Sequence, residues 1–429
     1  MGLLNKVVAD INKPPAFSLD VRQSHKYLST STEEQALYLL VKITPASDLR
    51  PLRLPLNLCL VLDRSTSMRG ARLQNVKHGV QQIIDDLEPD DALSVVLFSD
   101  RAKVLLPSEK NVQKARLKSV ISAIQSSGGT EMLQGLIAGI EQLRTYRTTA
   151  SINHLMFITD GQTYGDEAGC LEQAQLANAS QITLTTMGIG EDWNETLLEK
   201  MAVASGGTSL YIDSPREIRQ AFQTSMDALT SVVARGVSMT VDTASGIRLE
   251  NIYMMTPYIS VLEHQASRLL LGPLACDTEK TMLMEFRVRA EVAQTYPDSI
   301  QIHIEGDLPE QTNYCSLLSK QITVEFSKKP SRNVTIPSDI ITALGKLAIF
   351  KLQEKTMIDL EQGEVTTATQ RLETMATRLL NIGETELARS ALLEAGRLAR
   401  TGNLSAEGRK KIRYGTRSLS MLPKEIYRD

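Results

Sequence analysis

The chain has 429 residues, 42% of them hydrophobic and 23% charged, which is the balance of a soluble globular protein and excludes a disordered one. At roughly 100–200 residues per domain, that length implies about two to four domains. A net charge of −3 and an aromatic content of 4% supply neither a global positive field nor a base-stacking platform, so no nucleic-acid partner is expected.

The opening stretch, MGLLNKVVADINKPPAF, lacks a long apolar segment and carries Asp10, so it does not read as a secretory signal. Lys6 stands where an N-myristoylation signal wants Ser or Thr. The longest apolar runs, such as LYLLV and LCLVL, fall far short of the ~20 residues of a membrane helix, so no membrane span is expected. Cys59, Cys170, Cys276 and Cys315 are far apart in mostly apolar settings, which predicts buried free thiols. A cytoplasmic location is the resulting expectation.

Residues 17–24 and 36–44 (ALYLLVKIT) predict two strands, and a Pro-bearing hinge leads into the strand CLVLD. From there to about residue 230, strands and helices alternate. RLQNVKHGVQQIIDDLE carries apolar residues at helical spacing, and ALSVVLFS reads as the next strand. The helices VQKARLKSVISAIQ and MLQGLIAGIEQLR follow, then the strand HLMFITD and a helix around 170–179. The strand ITLTTMGIG, the helix NETLLEKMAVAS and a strand near SLYID close the series. Continuous apolar strands between amphipathic helices predict a doubly wound, mostly parallel, Rossmann-like sheet. In such sheets ligands bind at the carboxyl ends of the strands, where Asp63 and Asp160 fall.

From about 231 to 328 the period changes to two, in VSMTVDT, LLLGPLA, MLMEFRVRAEV, SIQIHIEG and QITVEFS, which predicts an antiparallel β-sandwich. Residues 338–420 then read as helices broken by Gly363, Gly383 and Gly402, each where a C-terminal cap belongs. The expected organisation is N-terminal strands over 1–50 completing the sandwich, the α/β domain over 51–230, the sandwich over 231–330 and a helical domain over 335–422. The α/β domain would then be an insertion into the β domain.

Three fragments at the ends of predicted elements carry oxygen donors: DRSTS (Asp63, Ser65, Ser67), SSGGTEM (Thr130) and FITDG (Asp160). Each has a bland reading, as a helix N-cap or a tight turn. Their coincidence on one edge of one predicted sheet argues for a site. Two carboxylates and three hydroxyls, with no His or Cys nearby, suit a hard divalent cation such as Mg²⁺, Mn²⁺ or Ca²⁺ better than zinc. Gly128 and Gly129 would let their loop pass close enough for Thr130 to join.

In this order and separation, DRSTSM, GGTEM and ITDG resemble the metal-ion-dependent adhesion site (MIDAS) of von Willebrand factor A-type domains, over about residues 55–225. LSVVLFSD and TMGIGEDWNETLLEKMA are further matches, similar to the inter-alpha-trypsin inhibitor and calcium-activated chloride channel homologue branch. The flanking β unit and the helical tail resemble those of bacterial members. The resemblance implies that Ser65 and Ser67 bind the metal directly, Thr130 directly or through water, and that Asp63 and Asp160 hold coordinating waters. Two departures stand out: Thr66 where the common pattern has Gly, and Glu131 where many relatives have Asn.

The function implied is a metal-dependent protein–protein interaction module or scaffold, which captures a partner's Glu or Asp at the metal and needs no catalytic residue. The rival readings are a metal-dependent hydrolase and a scaffold with a dead site. His25, His78, His154, His264 and His303 are scattered, and no P-loop, HExxH or GxSxG pattern occurs, so no enzymatic activity is expected. The name of the family branch also invites a channel role, against which the lack of a span speaks. Arg409, Arg413 and Arg417 form a basic stripe that reads as a solvated helix face, and Trp193 as a packed loop residue.

Overall fold

The computed structural model describes residues 17–30, 33–46, 53–148, 151–163, 165–262, 268–276, 278–289, 299–307, 315–328 and 335–421. These fall into two compact units, one drawn from Met1–Leu52, Ser231–Met254 and Val261–Ile340, the other from Arg53–Thr230, Met255–Ser260 and Ile341–Asp429.

Three strands come first: β1 (Phe17–Gln23), β2 (Tyr27–Ser29) and β3 (Gln35–Pro45). The α/β segment follows as β4 (Leu56–Asp63), α1 (Ala71–Asp86), β5 (Ala92–Phe98), β6 (Ala102–Lys110), α2 (Lys114–Ser122) and α3 (Met132–Arg144). It continues through β7 (Ile152–Thr159), α4 (Glu167–Ala179), β8 (Ile182–Ile189), α5 (Glu195–Ala204), β9 (Thr208–Ile212) and α6 (Ile218–Thr230). These strands form one six-stranded sheet in the order β6-β5-β4-β7-β8-β9, parallel except for the antiparallel edge strand β6.

Every residue of β4, β5 and β7 is buried, as strands covered on both faces must be. On one face Cys59, Val61, Phe98, Leu155 and Phe157 pack with residues of α3, α4 and α5, and the Phe98 and Phe157 rings stack with centroids 5.0 Å apart. The opposite-facing Leu58, Leu60 and Leu62 are equally buried. The sequence reading runs from β5 straight to α2 and misses β6. That strand, AKVLLPSEK, is half-exposed and contains Pro107, so its apolar pattern is weak, as is common on an edge.

After α6 come β10 (Val232–Thr243), β11 (Ile247–Met254), β12 (Ser260–Leu262), β13 (Leu269–Ala275), β14 (Lys280–Val288), β15 (Ser299–Asp307), β16 (Cys315–Thr323) and β17 (Glu325–Ser327). Two antiparallel sheets result, β1-β3-β14-β11-β12 and β13-β10-β15-β16, with β17 paired to β2. The first sheet joins N-terminal and later strands, since β3 pairs with β14 in a register that sets Leu39 opposite Met284 and Val41 opposite Met282. Phe17, Leu39, Val41, Met282 and Met284 share one core with Val237, Met239, Ile302 and Ile304 of the second sheet. Cys59, Cys170 and Cys276 are free thiols; the side chain of Cys315 lies outside the described residues.

The tail is helical: α7 (Ser338–Glu361), α8 (Val365–Asn381), α9 (Thr385–Thr401) and α10 (Ala406–Arg417). Gly363, Gly383 and Gly402, which follow the first three of these, adopt φ of 78°, 85° and 72°, a left-handed turn that halts a helix and suits glycine. No helix among the described residues is long and apolar enough to cross a membrane.

Helix α10 packs on the α/β segment, and here the structure corrects the reading of the basic stripe. Arg413 and Arg417 are largely buried and pair with Glu199 of α5 at 2.6 and 2.9 Å. Arg409 pairs with Glu195 at 2.8 Å. The intervening Lys410 is fully buried, donates to the carbonyls of Glu191 and Trp193, and lies 4.7 Å from the Trp193 ring centroid. A four-residue repeat of cations marks a helix face equally well whether it meets water or carboxylates, so the sequence alone could not separate the two.

Candidate metal centre

β4 and β7 are parallel neighbours, and their carboxyl ends deliver Asp63 and Asp160 to the same edge of the sheet. Both side chains are fully buried. Asp63 accepts from the backbone N–H of Ser65 at 2.7 Å through one oxygen and from the Thr159 hydroxyl at 2.6 Å through the other. Asp160 accepts from the Ser67 hydroxyl at 2.6 Å and from the Arg72 guanidinium at 2.7 Å. Burial, reinforced by the nearby charge of Asp160, pushes the Asp63 carboxyl up to about 6, against the hydrogen bonds from Ser65 and Thr159.

After Asp63 the chain turns through a short 3-10 segment, Thr66–Met68, before α1. That turn sets the Ser65 and Ser67 hydroxyl oxygens 3.0 Å apart. Thr66, the departure from the common pattern, has its own task. Its backbone N–H and its hydroxyl both donate to the carbonyl of Gly128, at 3.1 and 2.9 Å, tying this turn to the loop that carries Thr130.

The Thr130 loop is fixed from below as well. Gly129 N–H donates to Asp100 at 2.7 Å, and Glu131 N–H to the Ser99 carbonyl at 2.8 Å. Thr130 faces the Asp160 loop so closely that a Cβ built on Gly161 would stand 3.0 Å from its hydroxyl oxygen. Helix α3 begins at once, and its backbone N–H of Leu133 is capped by Asp166 at 2.9 Å. Of the residues named from the sequence, Asp63, Ser65, Ser67 and Asp160 are thus joined by one hydrogen-bonded network, and Thr130 abuts it across Gly161.

The donor set fits a small hard cation. An octahedron with arms of about 2.0–2.1 Å has edges of about 2.9 Å. The Ser65–Ser67 oxygen separation of 3.0 Å matches such an edge. Of the two buried carboxylates only Asp160 is paired with a guanidinium, that of Arg72, so the pocket carries an excess of negative charge that a divalent ion would offset. Among the described residues no group of three or more His, Cys, Asp or Glu is placed to hold a metal ion, so a cation at this edge would need the hydroxyls as donors.

Sequence reasoning missed Arg72, Thr159 and Asp100. Thr159 directly precedes Asp160 and is fully buried, and Asp100 follows β5, so both sit at strand ends on the same edge. That position was the available signal. Arg72, in the first turn of α1, gave none, because an Arg near the start of a helix ordinarily faces solvent.

Residues 57–224 match the family model of the von Willebrand factor type A domain, and residues 338–422 match that of the Sll0103-like C-terminal alpha-helical domain. Protein sll0103 of Synechocystis sp. is 28% identical over 94% of this chain and 98% of its own length. Inter-alpha-trypsin inhibitor heavy chain H4 of Bos taurus is 29% identical over 42% of this chain; the match spans 21% of that protein and so concerns the shared domain alone. A solved structure titled von Willebrand factor type A, from Catenulispora acidiphila, superposes with a TM-score of 0.76 at 16% identity, covering 94% of this chain and 97% of that one.

Proposed function

From a chain that is a von Willebrand factor A-type domain protein of the Sll0103-like kind, we propose a divalent-metal-dependent protein–protein interaction module that captures an acidic residue of a partner. The observation that carries the reading is the convergence of Ser65, Ser67 and Asp160 oxygens on one strand edge, where Asp160 is buried and Ser67 is open to solvent, with Thr130 facing the same loop. Ser65, Ser67 and Thr130 would hold the ion, while Asp63 and Asp160 orient them and supply balancing charge. When bound, the ion offers a Lewis-acidic position to a carboxylate oxygen of the partner.

The charges favour an acidic partner. Two carboxylates and Arg72 sum to −1; with a divalent cation added the site becomes +1, which one Glu or Asp neutralises. Neutral hydroxyl ligands leave the ion more of its charge than carboxylate ligands would, which strengthens its hold on that partner. Mg²⁺, with Mn²⁺ or Ca²⁺ as alternatives, suits the all-oxygen set.

The test is a pull-down from host lysate with the full chain, in Mg²⁺ and in EDTA. A partner recovered only with the metal, and lost from a Ser65→Ala/Ser67→Ala bait, is the expected result. Equal recovery in EDTA would move the binding surface away from this edge and overturn the reading.

A further inference from the structure

The guanidinium of Arg72 is paired with one of the two carboxylates that the metal reading assigns to the ion's surroundings. Its Nη1 lies 2.7 Å from Asp160 Oδ2 and 3.5 Å from the Ser67 carbonyl, so it pairs with Asp160 and reaches the backbone of Ser67 beside the hydroxyl assigned to the ion. Asp160 is fully buried, and its other oxygen is taken by Ser67; Arg72 is therefore a positive charge that makes this buried carboxylate tolerable.

The arginine is also held in a formed cradle. A Cβ on Gly190, just after β8, would stand 2.8 Å from Arg72 Nη2, so the guanidinium lies close against this backbone. That backbone is anchored on both sides: Gly190 N–H donates to the Ile212 carbonyl at 3.0 Å, and its own carbonyl accepts from the Trp193 indole at 2.8 Å. Lys410 of α10 in turn donates to the Trp193 carbonyl at 3.0 Å. A loop pinned in this way keeps the guanidinium over Asp160.

We propose that Arg72 is a tethered cation whose pairing with Asp160 offsets the negative charge that Asp160 supplies to the divalent ion, and so sets the metal affinity of the site. The inference rests on the metal reading above and adds a sign to it. A residue that merely props Asp160 in place would weaken metal binding when removed, whereas removing an offsetting charge strengthens it.

Titration calorimetry of the full chain with MnCl₂ at fixed ionic strength separates these cases. Arg72→Gln removes a like charge beside the dication site and is expected to bind Mn²⁺ about tenfold tighter or more than the wild type. Arg72→Lys keeps the charge but loses the planar fork, and is expected to fall between the two. In EDTA the Gln variant melts lower than the wild type, and Mn²⁺ raises its melting temperature by the larger increment. Equal or weaker binding by Arg72→Gln, with wild-type binding intact, overturns this proposal and leaves the metal reading standing. No Mn²⁺ binding by the wild type or by Arg72→Gln overturns both. If the Gln variant does not fold without metal, Arg72→Lys decides: tighter than wild type supports the offset, and equal or weaker refutes it.

Discussion

Arg413 grips Glu199 with three hydrogen bonds of 2.6–3.0 Å, across 214 residues of sequence, joining helix α10 to the α/β segment. Both side chains are buried, at 11% and 6% exposure, so each depends on the other for its solvation.

Arg413→Ala therefore leaves a buried carboxylate with Arg417 as its remaining partner, and a loss of about 3 kcal/mol is expected. Urea unfolding checks this. The paired change Glu199→Leu/Arg413→Met should cost less than the sum of its two single changes, because neither member of the pair is left behind and Arg417 keeps Glu354 at 3.3 Å. A cost near zero for Arg413→Ala would mean that α10 is not held by this pair.

Divalent metal should stabilise the protein through the Ser65–Ser67 edge. At about one hundred times the dissociation constant, linkage gives about 2.7 kcal/mol, a rise of several degrees in melting temperature. Scanning fluorimetry with Mg²⁺ and Mn²⁺ reads it, and Ser65→Ala/Ser67→Ala should abolish it. The same rise in that double variant would locate the binding elsewhere.

How far this edge could be read from the sequence depended on contrast. CLVLD and FITD announce themselves because an unbroken apolar strand ends in a charge, and a sheet buried on both faces has no other use for one. The Gly-broken tail was legible for a similar reason, since each helical period ends in a residue suited to positive φ. What stayed hidden were groups whose role depends on a neighbour distant in sequence. Arg72 and Arg413 have the composition of surface residues, and only the fold brings Asp160 and Glu199 to them. Thr66 stands out in the sequence only as a departure from the common glycine, because its partner, the Gly128 carbonyl, lies 62 residues away.

Thr66→Val keeps the shape and removes that hydroxyl. The hydrogen bond is exposed, so a stability loss of about 0.5–1 kcal/mol is expected. Mn²⁺ affinity should fall more noticeably, since the turn bearing Ser65 and Ser67 loosens from the Thr130 loop, while Thr66→Ser retains both properties. Calorimetry on the three proteins is the check; unchanged affinity in the Val variant would show that the tie is dispensable.

His154 gives the α/β unit an acid limb. Its ring nitrogens lie 2.7 and 2.9 Å from the hydroxyls of Thr183 and Thr185, and burial pushes its pKa down to about 3 from the ordinary 6.5. The folded state thus binds fewer protons than the unfolded state between those values. The stability it contributes is present above pH 6.5 and is lost as pH falls toward 3, at up to ~1.4 kcal/mol per pH unit. Urea midpoints measured from pH 7 to 4 should show a shallower decline for His154→Asn than for the wild type. Parallel curves would place the acid sensitivity in other groups.

Trp193 is the sole tryptophan of the chain, and it is fully buried. Its indole hydrogen-bonds the Gly190 carbonyl beside Arg72, while its ring meets Lys410 on one side and Tyr211 and Tyr414 within about 6 Å. The molecule therefore carries a built-in optical probe at the joint between the proposed metal edge and helix α10. Because no second indole dilutes the signal, a blue-shifted emission reports a closed joint, and any red shift on adding a cation or a partner reads directly as its opening.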